Sequence, residues 1–189
     1  SILNMAGLGE EEDMFAPVMA SARRRAVWLG LNLLTAFLAA WVIGLFEATI
    51  QSLTALAVLM PIVASMGGIA GTQTLTLVIR GIALGQIASS NARSLLIKEI
   101  GVGILNGVLW AVVVGLVAVA RFENVAIGVV IAAAMTINLI FAAVSGVGVP
   151  MALRQFGIDP ALAGGVVLTT VTDVVGFMAF LGLATLYLV

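Results

Sequence analysis

Cysteine and histidine are both absent from this chain of 189 residues, tyrosine occurs once, and charged residues make up only 9%. Without cysteine there is no disulfide framework and no thiolate metal site. Without histidine the commonest transition-metal ligand and proton shuttle is missing too. Any metal must therefore be met by oxygen. The shortage of charge excludes more: a soluble domain carries about 25% charged residues, and eight Lys/Arg with nine Asp/Glu cannot supply a polar exterior for a chain of this length. The net charge of −1 leaves no basic footprint for nucleic acid. What is present is apolar: 62% of the residues are hydrophobic and mean hydropathy is +1.25, so the solvent for most of this surface is a bilayer.

A membrane-crossing helix needs about 20 mostly apolar residues, at about 1.5 Å rise per residue through about 30 Å of hydrocarbon. Five stretches qualify: Val27 to Phe46, Leu53 to Ile79, Ile100 to Ala120, Val125 to Val149 and Ala161 to Val189. The alternation of a membrane β-barrel is absent, which predicts an all-α, polytopic membrane protein. Arg23, Arg24, Arg25, Arg80, Arg93, Lys98 and Arg154 fall on one side of the spans and Arg121 alone on the other. The positive-inside rule then puts the N-terminus in the cytoplasm and the C-terminus outside, in a multi-pass protein of the inner or plasma membrane. Residues 23–189 are expected to form the membrane domain and residues 1–22 a cytoplasmic connector. Within that connector, Glu10 to Ala22 reads either as a short amphipathic surface helix or as a solvated linker. Gly81 to Asn91 is expected to bend on the cytoplasmic side, with Gly81, Gly85, Ser89 and Ser90 breaking the helical pattern. The chain opens on Ser1, and Glu10, Glu11, Glu12 and Asp13 stand where a secretory signal would be basic. No cleavable signal is expected, and the chain reads as a piece of a longer protein with a cytosolic N-terminal part.

Of the acidic residues, Asp173 alone falls near the middle of a span, where a carboxylate needs a wet cavity, a cation or a partner. The others, Glu99 among them, fall outside the spans or at their ends, where water or a basic neighbour is expected to solvate them. For Asp173 two readings stand beside each other: an ion or proton pathway, or an Asp bonded to Asn106 or Asn138 as glue between helices. Helical spacing puts Gly165, Thr169, Asp173 and Gly176 on one stripe, and Thr169 offers a hydroxyl and a carbonyl one turn toward the cytoplasm. Tight helix packing is the competing account of the small residues, and of Thr170 and Thr172. The second span carries Pro61, which removes a backbone donor, and the pair Gly67 and Gly71. Thr72, Gln73 and Thr74 follow, polar at a depth that headgroup solvation also explains. Glu47, at the outer end of the first span, reads as an attractor of cations or as a solvated end. Hard divalent cations choose carboxylate, carbonyl and water oxygens, and Mg²⁺ keeps most of its waters, so one Asp per chain suits that ion where two chains meet. The competing function is an ion-coupled secondary transporter with Asp173 as coupling site; a third is a membrane anchor for a cytosolic module. No covalent chemistry is called for, and an enzyme is not expected.

The runs Met60-Pro61, Gly67-Gly68-Ile69-Ala70-Gly71-Thr72-Gln73-Thr74, Arg80-Gly81-Ile82-Ala83-Leu84-Gly85 and Thr169-Thr170-Val171-Thr172-Asp173 resemble the MgtE magnesium channels across essentially the whole chain. The resemblance implies a homodimer in membrane lipid, conducting Mg²⁺ or other divalent cations into the cytoplasm through a pore on the dimer axis. The second and fifth spans would line it. Asp173 and Thr169 would meet the ion, and Gly68, Thr72, Gly165, Thr172 and Gly176 would line the path. It also implies a cytosolic N-domain and CBS domains, absent here, joined through Glu10 to Ala22. One departure stands out: the family pattern usually has Asn where this chain has Ile69. Either that position faces the pore and conduction differs, or it faces lipid or packing and the change is harmless.

Overall fold

The computed structural model describes residues 13–88 and 90–189. Glu10, Glu11 and Glu12 of the expected connector and Ser89 of the expected bend lie outside the described residues. Among the described residues six helices follow in order: α1 (Val18–Gly44), α2 (Glu47–Ser52), α3 (Ala55–Ala83), α4 (Ala92–Phe122), α5 (Val125–Gln155) and α6 (Pro160–Tyr187). Among the described residues five of them, all but α2, are long and apolar enough to cross a membrane, and there is no strand.

The helices outrun the apolar stretches. α1 begins at Val18 rather than Val27, α4 at Ala92 rather than Ile100, and α5 runs to Gln155 rather than stopping at Val149. Hydropathy marks where a helix meets hydrocarbon, but its hydrogen bonds continue into the interface, where Arg23 to Arg25 and Arg154 keep their charges in water. Val18 to Ala22 are therefore the opening turns of α1. Gly81 does not break α3: it is buried within it, and a Cβ there would stand 2.6 Å from the Ile87 side chain. The turn comes at Gly85, whose φ of +66° ends α3 as Gly157 at +72° ends the α5 segment. Asn91 then brackets the turn, donating to the Gln86 carbonyl and accepting from the Ala88 amide. Asn124 caps α5 by accepting from Ala126 and Ile127 amides, and Asp159 caps α6 ahead of Pro160.

α5 is the central helix, packed against α3, α4 and α6, while α1 leans on α6. Small residues permit the close contacts. On α4, Gly103, Gly107, Ala111 and Gly115 recur every fourth residue and are all buried. A Cβ at Gly103 would stand 3.0 Å from the Leu139 carbonyl oxygen, and one at Gly115 3.1 Å from that of Gly128. α3 and α6 run antiparallel in one register, with Val63 beside Gly176, Gly71 beside Leu168 and Leu75 beside Gly164. Gly67 is thereby level with Thr172, and Met66 with Asp173.

Asn138 of α5 sits where these three helices meet. It is fully buried, and its Nδ2 donates to the Val63 carbonyl of α3 at 2.9 Å. Its amide fills the space that side chains at Gly67 and Gly176 would need. Gly67→Ala should cost about 1–3 kcal/mol of stability, the usual scale of overpacking a close contact, whereas Gly68→Ala, which meets open space, should leave it unchanged. Thermal unfolding of the two variants in detergent checks the contrast.

Candidate cation site at mid-membrane

Asp173 stands about 20 Å from either end of α6 at about 1.5 Å rise per residue. It is half-buried, and among the described residues it has no hydrogen-bond or ion-pair partner. Among the described residues no hydrogen bond joins Asp173 to Asn138 or Asn106: Asn138 donates to the Val63 carbonyl, and Asn106 lines a cavity between α3, α4 and α5. One turn away, Thr169 is exposed on the outside of the chain, and Gly165 is half-buried a further turn along. Thr170 turns its hydroxyl back to the Val166 carbonyl at 2.8 Å.

Thr172 and Gly176 do not join this face. Both are buried, Thr172 at 0% exposure, because the seam of α6 against α3 and α5 runs through Gly164, Leu168, Thr172, Gly176 and Phe180. The Thr172 hydroxyl donates to the carbonyls of Leu168 and Thr169, both at 3.1 Å. The expected stripe of small and polar residues thus divides, with Thr169 and Asp173 outward and Thr172 and Gly176 inward. The Thr169 carbonyl already accepts within an unbroken helix, so the exposed group at this position is its hydroxyl.

On α3, Ser65 and Thr72 are exposed, and Gly68 between them has open space where a Cβ would stand. The α3–α6 register sets Gly68 within a turn of the depth of Asp173. Ile69 is 60% exposed, on the outside of the chain and not in its core. α3 continues through Pro61, which is exposed and leaves the Ala57 carbonyl without its helical donor.

A second acidic residue departs from its expected place. Glu99 is not open to water: it is 4% exposed, two turns into α4, and of the two expected means of solvation it has the basic neighbour, Lys98. Its Oε2 accepts from the Thr74 hydroxyl of α3 at 3.0 Å, and its Oε1 pairs with Lys98 Nζ at 3.0 Å. The signal for it lies in the spacing: Glu99 begins the run that continues through Gly103, Gly107, Ala111 and Gly115, which is the buried seam of α4. Glu47, by contrast, is exposed and accepts from Gln51 within α2.

Bundle and site together define a multi-pass helical membrane protein with one carboxylate left unpartnered at mid-membrane, a design suited to transport. The sequence profile of MgtE, described as a divalent cation transporter, matches residues 60–183. The chain belongs to this family, a family of transporters and not of enzymes. Proteins named magnesium transporter MgtE share its sequence: that of Bacillus subtilis is 30% identical over 183 residues, covering 97% of this chain and 41% of its own length. That of Thermus thermophilus is 31% identical over 165 residues, covering 87% of this chain and 36% of its own length. That of Enterococcus faecalis is 28% identical over 184 residues, covering 97% of this chain and 40% of its own length. The chain therefore spans about two fifths of the length of these relatives.

Because Thr74 supplies the hydroxyl donor to an enclosed carboxylate, Thr74→Val, which keeps the shape and removes the donor, should lower stability by about 1–3 kcal/mol. Thermal unfolding beside the native chain measures it.

Proposed function

We propose that this chain is the membrane-embedded, pore-forming part of a Mg²⁺ transport protein, in which the hydrated ion passes into the cytoplasm along the outward faces of α6 and α3 and meets Asp173 on the way. The observation that carries this reading is that Asp173, at mid-membrane, has no hydrogen-bond or ion-pair partner among the described residues. A carboxylate at the centre of a bilayer costs about 2.5–3.5 kcal/mol even by the mildest measure, so it persists there where water or a cation completes its surroundings. Thr169 on α6 and Ser65, Gly68 and Thr72 on α3 give that face hydroxyls and room for a hydrated ion. Thr172 and Gly176 act from behind, holding α6 against α3 and α5.

A single chain leaves this face uncovered, and a second copy related by a twofold axis would enclose it. Two Asp173 carboxylates then present a charge of −2 to an ion that retains its waters, which suits Mg²⁺ better than direct coordination by one chain would. Residues 23–189 make up the pore domain and residues 1–22 the connector to cytosolic parts. The basic ends of the helices face the cytoplasm. The driving force is the membrane potential, about 2.3 kcal/mol per charge per 100 mV, doubled for a divalent ion. A channel needs no coupling group beyond this.

The test is Mg²⁺ flux into liposomes under an inward-negative potential. Asp173→Asn should cut flux by about tenfold or more, since each 1.4 kcal/mol lost at a binding step is a factor of about ten. Flux should need no proton or sodium gradient. Equal flux through a folded Asp173→Asn variant would remove the ion-binding role, and flux that runs only with a proton or sodium gradient would replace the channel with a coupled carrier.

A further inference from the structure

Between α3, α4 and α5 lies a cavity of about 160 Å³, lined among others by Gln73, Thr74, Lys98, Glu99 and Asn106. α3 touches α4 only sparsely, and the polar link across this gap is the Thr74–Glu99 hydrogen bond. The cavity lies toward the basic end of the bundle, where α3 ends at Ala83 and α4 begins at Ala92. It is separate from Asp173, which does not line it.

The Glu99 carboxylate is met by two groups, the Thr74 hydroxyl and the Lys98 ammonium. The two partners differ in permanence. Thr74 is buried and fixed, whereas the Lys98 side chain is 64% exposed against 5% for Glu99, so its stem lies in the open and only its tip reaches the carboxylate. The ammonium that reaches Glu99 from outside marks a place where a positive charge belongs, and it can leave when another cation takes that place. Thr74, Gln73 and Asn106 line the cavity beside Glu99 in an otherwise apolar wall, and carboxylate, hydroxyl and amide groups are those that suit a hard cation. At about 30 Å³ per water molecule the cavity has room for about five, so an ion could keep most of its hydration shell.

We propose that this cavity is a second cation site, filled by a hydrated divalent cation reaching it from the basic end, with Lys98 as a tethered counter-ion that holds the carboxylate when the site is empty and swings out when it is filled. At equal distance a divalent ion attracts Glu99 twice as strongly as the ammonium does. Lys98 therefore sets the concentration at which the ion displaces it. The site does not depend on conduction through Asp173.

The experiment counts Mn²⁺ bound to the purified chain in lipid nanodiscs by electron paramagnetic resonance, in an Asp173→Asn background that removes the mid-membrane site. One saturable Mn²⁺, displaced by Mg²⁺, should remain. Adding Lys98→Met should tighten it by about tenfold, because the competing charge is gone, and Mn²⁺ should raise the unfolding temperature more in that variant than with Lys98 present. Adding Glu99→Gln should abolish binding; where that variant does not fold, Gln73→Ala with Asn106→Leu should weaken it instead. Unchanged Mn²⁺ affinity in the Lys98→Met variant, or undiminished binding in a folded Glu99→Gln or Gln73→Ala/Asn106→Leu variant, would overturn the proposal.

Discussion

Everything in this bundle answers to one constraint: inside a membrane there is no bulk water to satisfy a polar group, so each must find its partner in the protein or keep contact with a wet path. Asn138 shows the first solution at its tightest. Its amide donor reaches the Val63 carbonyl, and Gly67 and Gly176 leave space for it, so one side chain fixes how closely α3, α5 and α6 approach. The solution is incomplete at its Oδ1, which is buried with no partner among the described residues, at a cost of about 1–3 kcal/mol. Asp173, three residues before Gly176 on the same helix, is the second solution: it is half-buried and takes no partner among the described residues.

The two acidic residues in the bundle interior and at its face divide the work differently. Glu99 is enclosed and answered by Thr74 and Lys98, and the rest of its surroundings is a cavity. Asp173 is half open and unanswered. Packing explains the difference, since α4 turns the row from Glu99 to Gly115 inward against its neighbours, whereas the inward row of α6 passes through Thr172 and Gly176 and leaves Asp173 to one side. A shift of one residue in α6 would carry Asp173 into the buried place that Thr172 holds.

The number and apolar character of the spans are legible in the sequence because the bilayer imposes them, and the prominence of Asp173 is legible because a lone mid-span carboxylate is rare. Helix ends are not, since helices continue past the hydrocarbon: nothing in hydropathy reports that α1 starts at Val18. The face of Thr172 is hidden because the stripe containing Gly165, Thr169, Asp173 and Gly176 is wide enough to hold both a packed edge and an open one, and only the neighbours α3 and α5 divide it. Glu99 is masked by Lys98 beside it, which suggests water, while its four-residue spacing to Gly103 and Gly107 points to the interior. Gly81 has the look of a breaker, although within α3 it serves the close approach of Ile87.

The central claim is that an aqueous path follows the outward edge of α6 past Asp173 and not its inward edge. The native chain has no cysteine, so single substitutions can be probed without background, and the direct measurement is labelling of Thr169→Cys and Thr172→Cys by a charged, water-soluble thiol reagent in native-like membranes. The account predicts that Cys at position 169 is labelled, that added Mg²⁺ protects it, and that Cys at position 172 stays unlabelled until the protein is unfolded. Labelling at 172 with none at 169, or labelling at 169 indifferent to Mg²⁺, would contradict it.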